Sequence, residues 1–375
     1  MKTNTLSRLL MASSTVLLLA ACASNSSSYE SDSSSVITNT TQHKKTGWQV
    51  ENSPLSMNQQ TFTQQVSQRY NIPESFIQNM LSQANVNARV IDLMSPKKTT
   101  AIKRHWQTYR NRFVEPIRTR KGTAFWNIHR ADLAAAERQY GVPAAIIAGI
   151  IGVETVYGEQ MGSFSVLDAL YTLGFSHPDP SRPEKSQMFR NQLAALIELT
   201  HKGKFDGYTA TGSFAGASGL GQFMPISILH YAVDADGDGK IDLRNSTKDA
   251  IYSVANFLVK HGWQSNMPVF APVRLPSSPA NLVDGGLEAK MSWAQLQAKG
   301  ASSSTTGAKW QDGVRLGVID LRDDVRGNHE YRTATQNFFA ITKYNRSYFY
   351  AASVADLASV LANEQIRSGH QVTRP

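Results

Sequence analysis

Residues 141–158 read GVPAAIIAGIIGVETVYG and limit the possible folds more than any other stretch of the chain. Pro143 suits the first turn of a helix. Behind it Ile146, Ile147, Ile150, Ile151 and Val153 recur at helical spacing. Glu154 follows Ile150 by four residues and Ile151 by three, which puts its carboxylate on the apolar stripe of the helix rather than on a wet face. Gly149 and Gly152 each cost a helix interior roughly 1 kcal/mol, so the spacing predicts that another backbone or a ligand comes close there. A carboxylate in an apolar wall has its pKa pushed up, as a general acid near neutral pH requires. The plainer reading is a buried glutamate tied to a structural partner.

The start of the chain reads as a targeting segment. Lys2 and Arg8 precede an uncharged apolar run, Leu9 to Ala21, too short for a comfortable membrane span and suited to a secretory signal. Cys22 is the only cysteine, so no intrachain disulfide is available. Leu-Ala-Ala-Cys directly after the apolar run resembles the lipobox of bacterial lipoproteins, in which the cysteine is lipidated and becomes the first mature residue. Acyl chains there would anchor the protein firmly, at ~0.8 kcal/mol per buried methylene. Ala23 in place of Asp after the cysteine points to the outer membrane. Residues 1–21 are therefore expected to be a signal peptide. Residues 22–47, rich in Ser, Asn and Thr, cannot bury a core and read as a flexible tether.

The formal charge of +9 falls by the two charges of Lys2 and Arg8 once the signal is removed. No basic block with interleaved aromatics occurs, which argues against a nucleic-acid partner. The positive excess suits an acidic polymer or a membrane surface without demanding either. From Trp48 on, the chain is long enough for one large domain with an insertion, or for two domains. Helices are expected over Met57 to Tyr70 and Pro73 to Gln83, then over Ala124 to Tyr140 as one segment, Ser165 to Leu173 and Met188 to His201. His177 to Lys185 reads as a polar, proline-containing loop.

Two later segments carry more chemistry. Residues 212–225, GSFAGASGLGQFMP, are too rich in glycine to build a regular core element. Such a stretch lets the backbone approach something closely. Its spacing matches no phosphate-cradling loop and calls for no organic cofactor, and Gln222-Phe223-Met224 are expected to open a helix. Residues 234–245, DADGDGKIDLRN, follow the pattern of an EF-hand loop. Asp234, Asp236, Asp238 and Asp242 take positions one, three, five and nine, Gly239 the sharp turn at six, and Lys240 the carbonyl position at seven. Calcium is the expected ion. Asn245 stands at position twelve and cannot supply two carboxylate oxygens. The plain alternative is an Asp/Gly turn with its carboxylates in water.

After a helix over Thr247 to Gly262, Val269 to Leu275 and Arg315 to Arg322 read as strands of a small insert spanning residues 267–335. The chain then returns to aromatic, helix-like sequence, including Tyr344, Tyr348 and Tyr350. A last helix is expected over Val354 to Ile366.

IIGVETVYG, GSFAGASGLGQFMP, AVDADGDGKIDL, SVANFLVKHGW and YNRSYFYA, in this order, resemble the membrane-bound lytic murein transglycosylase B family, glycoside hydrolase family 103. The resemblance covers nearly all of the chain after the tether. It implies an α+β, mainly α fold: a lysozyme-like helical catalytic core over residues 48–266 and 336–375, a small β-rich insert and an EF-hand-like calcium loop. It implies cleavage of the β-1,4 bond between N-acetylmuramic acid and N-acetylglucosamine in peptidoglycan strands. The products end in 1,6-anhydromuramic acid because the sugar's own C6 hydroxyl replaces water. One glutamate serves as acid and then as base, and by position it is Glu154. Substrate-assisted glycosidases dispense with a second carboxylate, and Glu159, beyond Gly158 and off the helical face, is not assigned that role. By motif the resemblance assigns substrate binding to Ser213, Gln222, Tyr344, Asn345 and Tyr350, and to Tyr109 through its WQTYR context. Arg182 and Lys185 stand where the family carries a basic pair for the muropeptide. A lipoprotein signal also fits the membrane-bound members, placing the protein in the periplasm on the inner face of the outer membrane, with cell-wall synthases as candidate partners. Two other classes compete: a hydrolytic muramidase using the same acid, and a peptidoglycan-binding lipoprotein without chemistry, against which the intact Glu154 and Gln222 argue.

Overall fold

The computed structural model describes residues 54–96 and 104–375. The signal peptide, the Cys22 lipidation site and the tether lie outside the described residues. Among those residues no helix is long and apolar enough to cross a membrane.

The helices are α1 (Gln59–Tyr70), α2 (Glu74–Ser82), α3 (Ala88–Met94), α4 (Trp106–Arg110), α5 (Pro116–Ile128), α6 (Arg130–Tyr140) and α7 (Ala144–Thr155). After the short strand β1 (Phe164–Ser165) come α8 (Val166–Phe175) and α9 (Pro183–His201), then β2 (Thr211–Gly212), α10 (Pro225–Tyr231) and α11 (Thr247–Lys260). Strand β3 (Phe270–Ala271), helix α12 (Trp293–Ala298) and the hairpin β4 (Gly317–Asp323) and β5 (Asn328–Ala334) follow, before α13 (Gln336–Tyr344) and α14 (Tyr348–Arg367) close the chain. The fold is mainly helical, with two small antiparallel sheets. One pairs β1 with β2, and the other has the order β3-β5-β4.

α7 lies at the centre, packed by α14, α5, α6 and α11. It is not the amphipathic helix the spacing suggested. Every residue from Ala144 to Thr155 is buried except Glu154. The helix has no wet face, and its one charged residue is also its one partly accessible residue. Around it the main core gathers Phe62, Met80, Leu133, Leu170, Leu193, Phe338 and Tyr350. A second, smaller core of Met267, Leu282, Trp293, Leu296, Trp310, Leu316 and Val318 sits under the β3-β5-β4 sheet.

Several boundaries differ from the sequence reading, each for a local reason. The expected helix over Ala124 to Tyr140 is two helices, because His129 leaves the helical region (φ −104°, ψ 24°) and closes α5 against Phe125. α9 begins at Pro183, a proline in the first turn, so the polar loop ends before Lys185. Gln222 does not open a helix. It sits in the left-handed region (φ 51°), and α10 starts at Pro225. Of the strand expected over Val269 to Leu275 only Phe270–Ala271 joins the sheet, and Arg274 makes an isolated antiparallel bridge to Ser302. Strand β5 carries polar residues on its exposed half and showed no strand pattern in the sequence.

Candidate active site

The site is built on the C-terminal end of α7. Immediately after it, Val156 (φ 52°), Tyr157 (φ 58°) and Gly158 (φ 98°) all adopt left-handed backbone. That region is costly for a β-branched residue such as Val156. Two side chains hold the turn. The Thr155 hydroxyl donates to the Leu220 carbonyl (2.9 Å) and accepts from the Gly158 amide (3.1 Å). The buried Arg118 donates from Nε to the Gly152 carbonyl (2.8 Å), placing a cation at the helix C-terminus. The turn sends the Tyr157 ring back beneath α7. Its hydroxyl lies 2.3 Å from where a Cβ on Gly152 would stand, and a Cβ on Gly149 would meet the Val354 carbonyl of α14 at 3.0 Å. The two helix glycines thus admit an aromatic ring and a neighbouring backbone.

Glu154 Oε1 accepts a 2.5 Å hydrogen bond from the hydroxyl of Tyr350, which is fully buried on the first turn of α14. The glutamate itself is half-buried, walled by protein but open on one side. Burial pushes its pKa up to about 7, against the opposing effect of the Tyr350 hydrogen bond, which favours the carboxylate. Tyr344 lies parallel to Tyr350 at 6.4 Å between ring centroids and donates to the Gly221 carbonyl (2.5 Å). Burial and the nearby Glu154 charge raise the hydroxyl pKa values of Tyr109, Tyr344 and Tyr350, so all three stay protonated at neutral pH. The structure therefore gathers Glu154, Tyr109, Tyr344 and Tyr350. Asn345, next to Tyr344, holds a buried Oδ1 with no hydrogen-bond donor from the protein. Glu159 faces Lys121 across to α5 and does not join the cluster.

The glycine-rich segment packs against this end of α7. The Gln222 side chain donates to the Gly219 carbonyl (2.9 Å) and to the Met161 carbonyl (3.2 Å), fastening the segment to the loop beyond Glu154. Ser213 closes a turn in which its amide donates to the Ala217 carbonyl (2.8 Å) and its hydroxyl accepts from the Ala217 amide (3.1 Å). Arg182 and Lys185 sit elsewhere, at the start of α9, where Arg182 pairs with Glu184 at 2.9 Å.

The acidic loop differs from the expected ligand set. Asp234 and Asp236 converge with Asp249 of α11, with ligand oxygens within 4.8 Å of one another. Asp249 was not among the candidates read from the sequence. It is buried, lies one turn beyond the twelve-residue pattern, and accepts from the amides of Ala235 (2.9 Å) and Asp242 (3.0 Å). Asp242 instead turns onto its own backbone, accepting from the amides of Arg244 (3.0 Å) and Asn245 (2.9 Å). Asp238 accepts from the Lys240 amide (2.8 Å) and stands outside the converging group. The one signal for Asp249 in the sequence was an aspartate in the first turn of the helix that follows the loop. Three hard carboxylate oxygens suit calcium or magnesium.

The family model of the transglycosylase SLT domain matches residues 56–359. The chain belongs to this transglycosylase family. The membrane-bound lytic murein transglycosylase B of Escherichia coli strain K12 is 35% identical over 330 residues, 86% of each chain. The crystal structure of soluble lytic transglycosylase SltB1 from Pseudomonas aeruginosa superposes with a TM-score of 0.71 at 36% identity, covering 81% of this chain and 98% of that one. The Escherichia coli lytic transglycosylase Slt35 in complex with calcium gives a TM-score of 0.69 at 34% identity, over 82% of this chain and 93% of that one. The mainly α, lysozyme-like fold expected from the sequence is the fold of this transglycosylase.

The raised pKa of Glu154 has a consequence for stability. A carboxyl whose folded-state pKa lies above its unfolded value contributes stability that is fully present below the unfolded pKa and lost as pH rises through about 7. Glu154→Gln keeps the shape and removes the titration. Its melting temperature is expected to match the wild type at pH 4.5 and to exceed it at pH 8. Equal melting temperatures at both pH values would show that the carboxyl is not held in its neutral form.

Proposed function

We propose that this lytic murein transglycosylase uses Glu154 as its single acid and base. The observation that carries the reading is a carboxyl at the end of a buried apolar helix, bonded to Tyr350 and with no second carboxylate beside it among the described residues; burial pushes its pKa up to about 7. Tyr350 donates to Oε1, so the transferable proton rides on Oε2. Protonated Glu154 delivers it to the oxygen between N-acetylmuramic acid and N-acetylglucosamine as that bond breaks. The resulting carboxylate takes the proton of the muramic acid C6 hydroxyl, whose oxygen attacks C1 and closes the 1,6-anhydro ring. One proton is given and one recovered, and no water is consumed. The buried Oδ1 of Asn345 is an acceptor suited to an acetamido N–H. Tyr109, Tyr344, Gln222 and Ser213 are read as the other groups that line the sugar. The catalytic unit in this reading is the helical body, with residues 267–335 as its insert. Arg182 and Lys185 are the cations assigned to muropeptide carboxylates. Cys22 is assigned the lipid anchor that would hold the enzyme to the inner face of the outer membrane, within reach of cell-wall synthases.

The test is mass spectrometry of muropeptides released from purified sacculi. Wild-type enzyme is expected to release fragments lighter by one water than hydrolytic products, and Glu154→Gln to lose at least 10²-fold in rate while still binding sacculi, since general acid catalysis is typically worth 10²–10⁴-fold. Reducing-end products from the wild type would instead support a hydrolytic muramidase. Comparable release by the mutant would remove Glu154 from the chemistry.

We further propose that Asp234, Asp236 and Asp249 hold calcium in a structural role. Without the usual bidentate group at position twelve, binding is expected to be weak, Kd ~10⁻⁴–10⁻³ M. At ten times Kd the ion would stabilise the fold by roughly 1.4 kcal/mol. A melting series in EDTA, magnesium and millimolar calcium is expected to show a calcium-specific rise in the wild type and none in Asp236→Ala. An equal rise in both proteins would reduce the loop to an acidic turn.

A further inference from the structure

We propose that Asp356, together with Arg332, is a positioning residue that holds Tyr109 against the Glu154 cluster by clamping α4 between the β4–β5 hairpin and α14. The proposal rests on the reading that Tyr109 meets the substrate. α4 has five residues, far too few for a helix to persist without tertiary support. Its conformation is therefore imposed from outside, and the contacts on it come from the hairpin and from α14.

The hairpin holds the N-terminal end. Asp323, at the end of β4, accepts from the Gln107 amide (3.1 Å), and the neighbouring Asp324 exchanges hydrogen bonds with the backbone of Arg104 (3.0 and 2.8 Å). Glu330 of β5 accepts from the indole N–H of Trp106 (2.8 Å). α14 holds the other end. Arg110, next to Tyr109, donates from Nε to Asp356 Oδ2 (2.5 Å). Arg332 of β5 grips the same carboxylate with two donors, to Oδ1 at 2.6 Å and to Oδ2 at 3.1 Å, and donates to Glu330 at 2.5 Å. Its guanidinium lies 5.6 Å from the Trp106 ring centroid and 4.9 Å from that of Phe270.

The Asp356 carboxylate thus joins three elements, α4, β5 and α14. It stands six residues after Tyr350 on the same helix, so it shares a rigid body with the donor to Glu154. The Tyr109 ring packs on Phe349, next to Tyr350, at 5.5 Å. The Asp356 side chain is 13% exposed, so removing it deprives Arg110 of its carboxylate and leaves Arg332 with Glu330 alone, in a region largely closed to water. That costs far more than breaking a surface ion pair. The released strain falls on α4, the element with the least structure of its own.

The experiment combines amide hydrogen exchange with a double-mutant cycle on activity. Asp356→Ala is expected to speed exchange across residues 106–110 about tenfold or more while leaving α7 and α9 unchanged. It is expected to lower kcat/KM about tenfold, within the range of measured coupling between neighbours. In a Tyr109→Ala background the same substitution should cost less than about twofold, because the residue being positioned is gone. Asp356→Glu should restore part of the loss. Unchanged exchange over 106–110 overturns the clamp. Full additivity with Tyr109→Ala also overturns it, since Asp356 would then act by another route. If Tyr109→Ala is as active as wild type while exchange over 106–110 still rises, the clamp stands and the reading of Tyr109 as a substrate group fails. Should Asp356→Ala not fold, Arg110→Gln severs only the α4 arm and carries the same expectations and the same two refutations.

Discussion

Burial of one carboxyl group at the last turn of a helix that is otherwise sealed on every side is the constraint the rest of this structure serves. α7 can carry Ile146, Ile147, Ile150 and Ile151 at its centre only because four helices cover it. One of those covering helices brings Tyr350 to Glu154, while Tyr344 arrives from α13 and Tyr109 from α4. α14 covers one flank of α7 and carries Tyr350 on its first turn. Tyr350 satisfies one carboxylate oxygen and leaves the other free for the proton transfer proposed above. Three neutral phenols and a half-buried carboxyl make a region with hydrogen-bond donors but little water, where the protonated acid survives near neutrality. The cost is a destabilised ionised form, the usual signature of a site kept for chemistry rather than for stability.

The strained turn after Glu154 is held by a relay of backbone contacts that reaches the acidic loop. Thr155 donates to the Leu220 carbonyl, the Leu220 amide donates to the Leu243 carbonyl (2.8 Å), and Asp249 closes the acidic loop through the amides of Ala235 and Asp242. Gly219 (φ 76°) permits the approach, since a Cβ there would come within 2.5 Å of the Leu243 carbonyl oxygen. This gives the proposed ion at Asp234, Asp236 and Asp249 a physical route to the site. An ion that ordered the loop would steady the glycine-rich segment through Leu243 and Leu220, and the end of α7 through Thr155. The hairpin makes comparable contacts to α4 through Asp323, Asp324 and Glu330.

Much of this was legible in the sequence, though unevenly. Glu154 stood out because a carboxylate among isoleucines is rare without a reason, and the two helix glycines correctly announced close neighbours. Residues that enter the site from other elements carried no such local mark. Tyr344, Tyr350 and Tyr109 were found through family motifs, not through periodicity. Asp249 was hidden because the fixed twelve-residue frame ended at Asn245, whereas the acid that converges with Asp234 and Asp236 stands one turn further on, in the next helix. The complete burial of α7 was invisible because a helix with no polar face leaves no pattern to read. Strand β5 escaped because NHEYRTA is polar where it faces solvent and offers only Tyr331 and Ala334 to the apolar interior. Asp356 and Arg332 carry no mark in the sequence, since nothing local tells a surface arginine from one folded over two aromatic rings.

The central claim is that Glu154 is held protonated near neutral pH by burial, against the pull of the Tyr350 hydrogen bond. The pH dependence of kcat/KM tests it most directly, because that quantity reports the pKa values of the free enzyme. The wild type should lose activity as pH rises through about 7. Tyr350→Phe removes a hydrogen bond that favours the carboxylate, so its alkaline limb should move to higher pH, whatever the loss in absolute rate. An alkaline limb near the ordinary glutamate range, or one that moves to lower pH in Tyr350→Phe, would contradict the account.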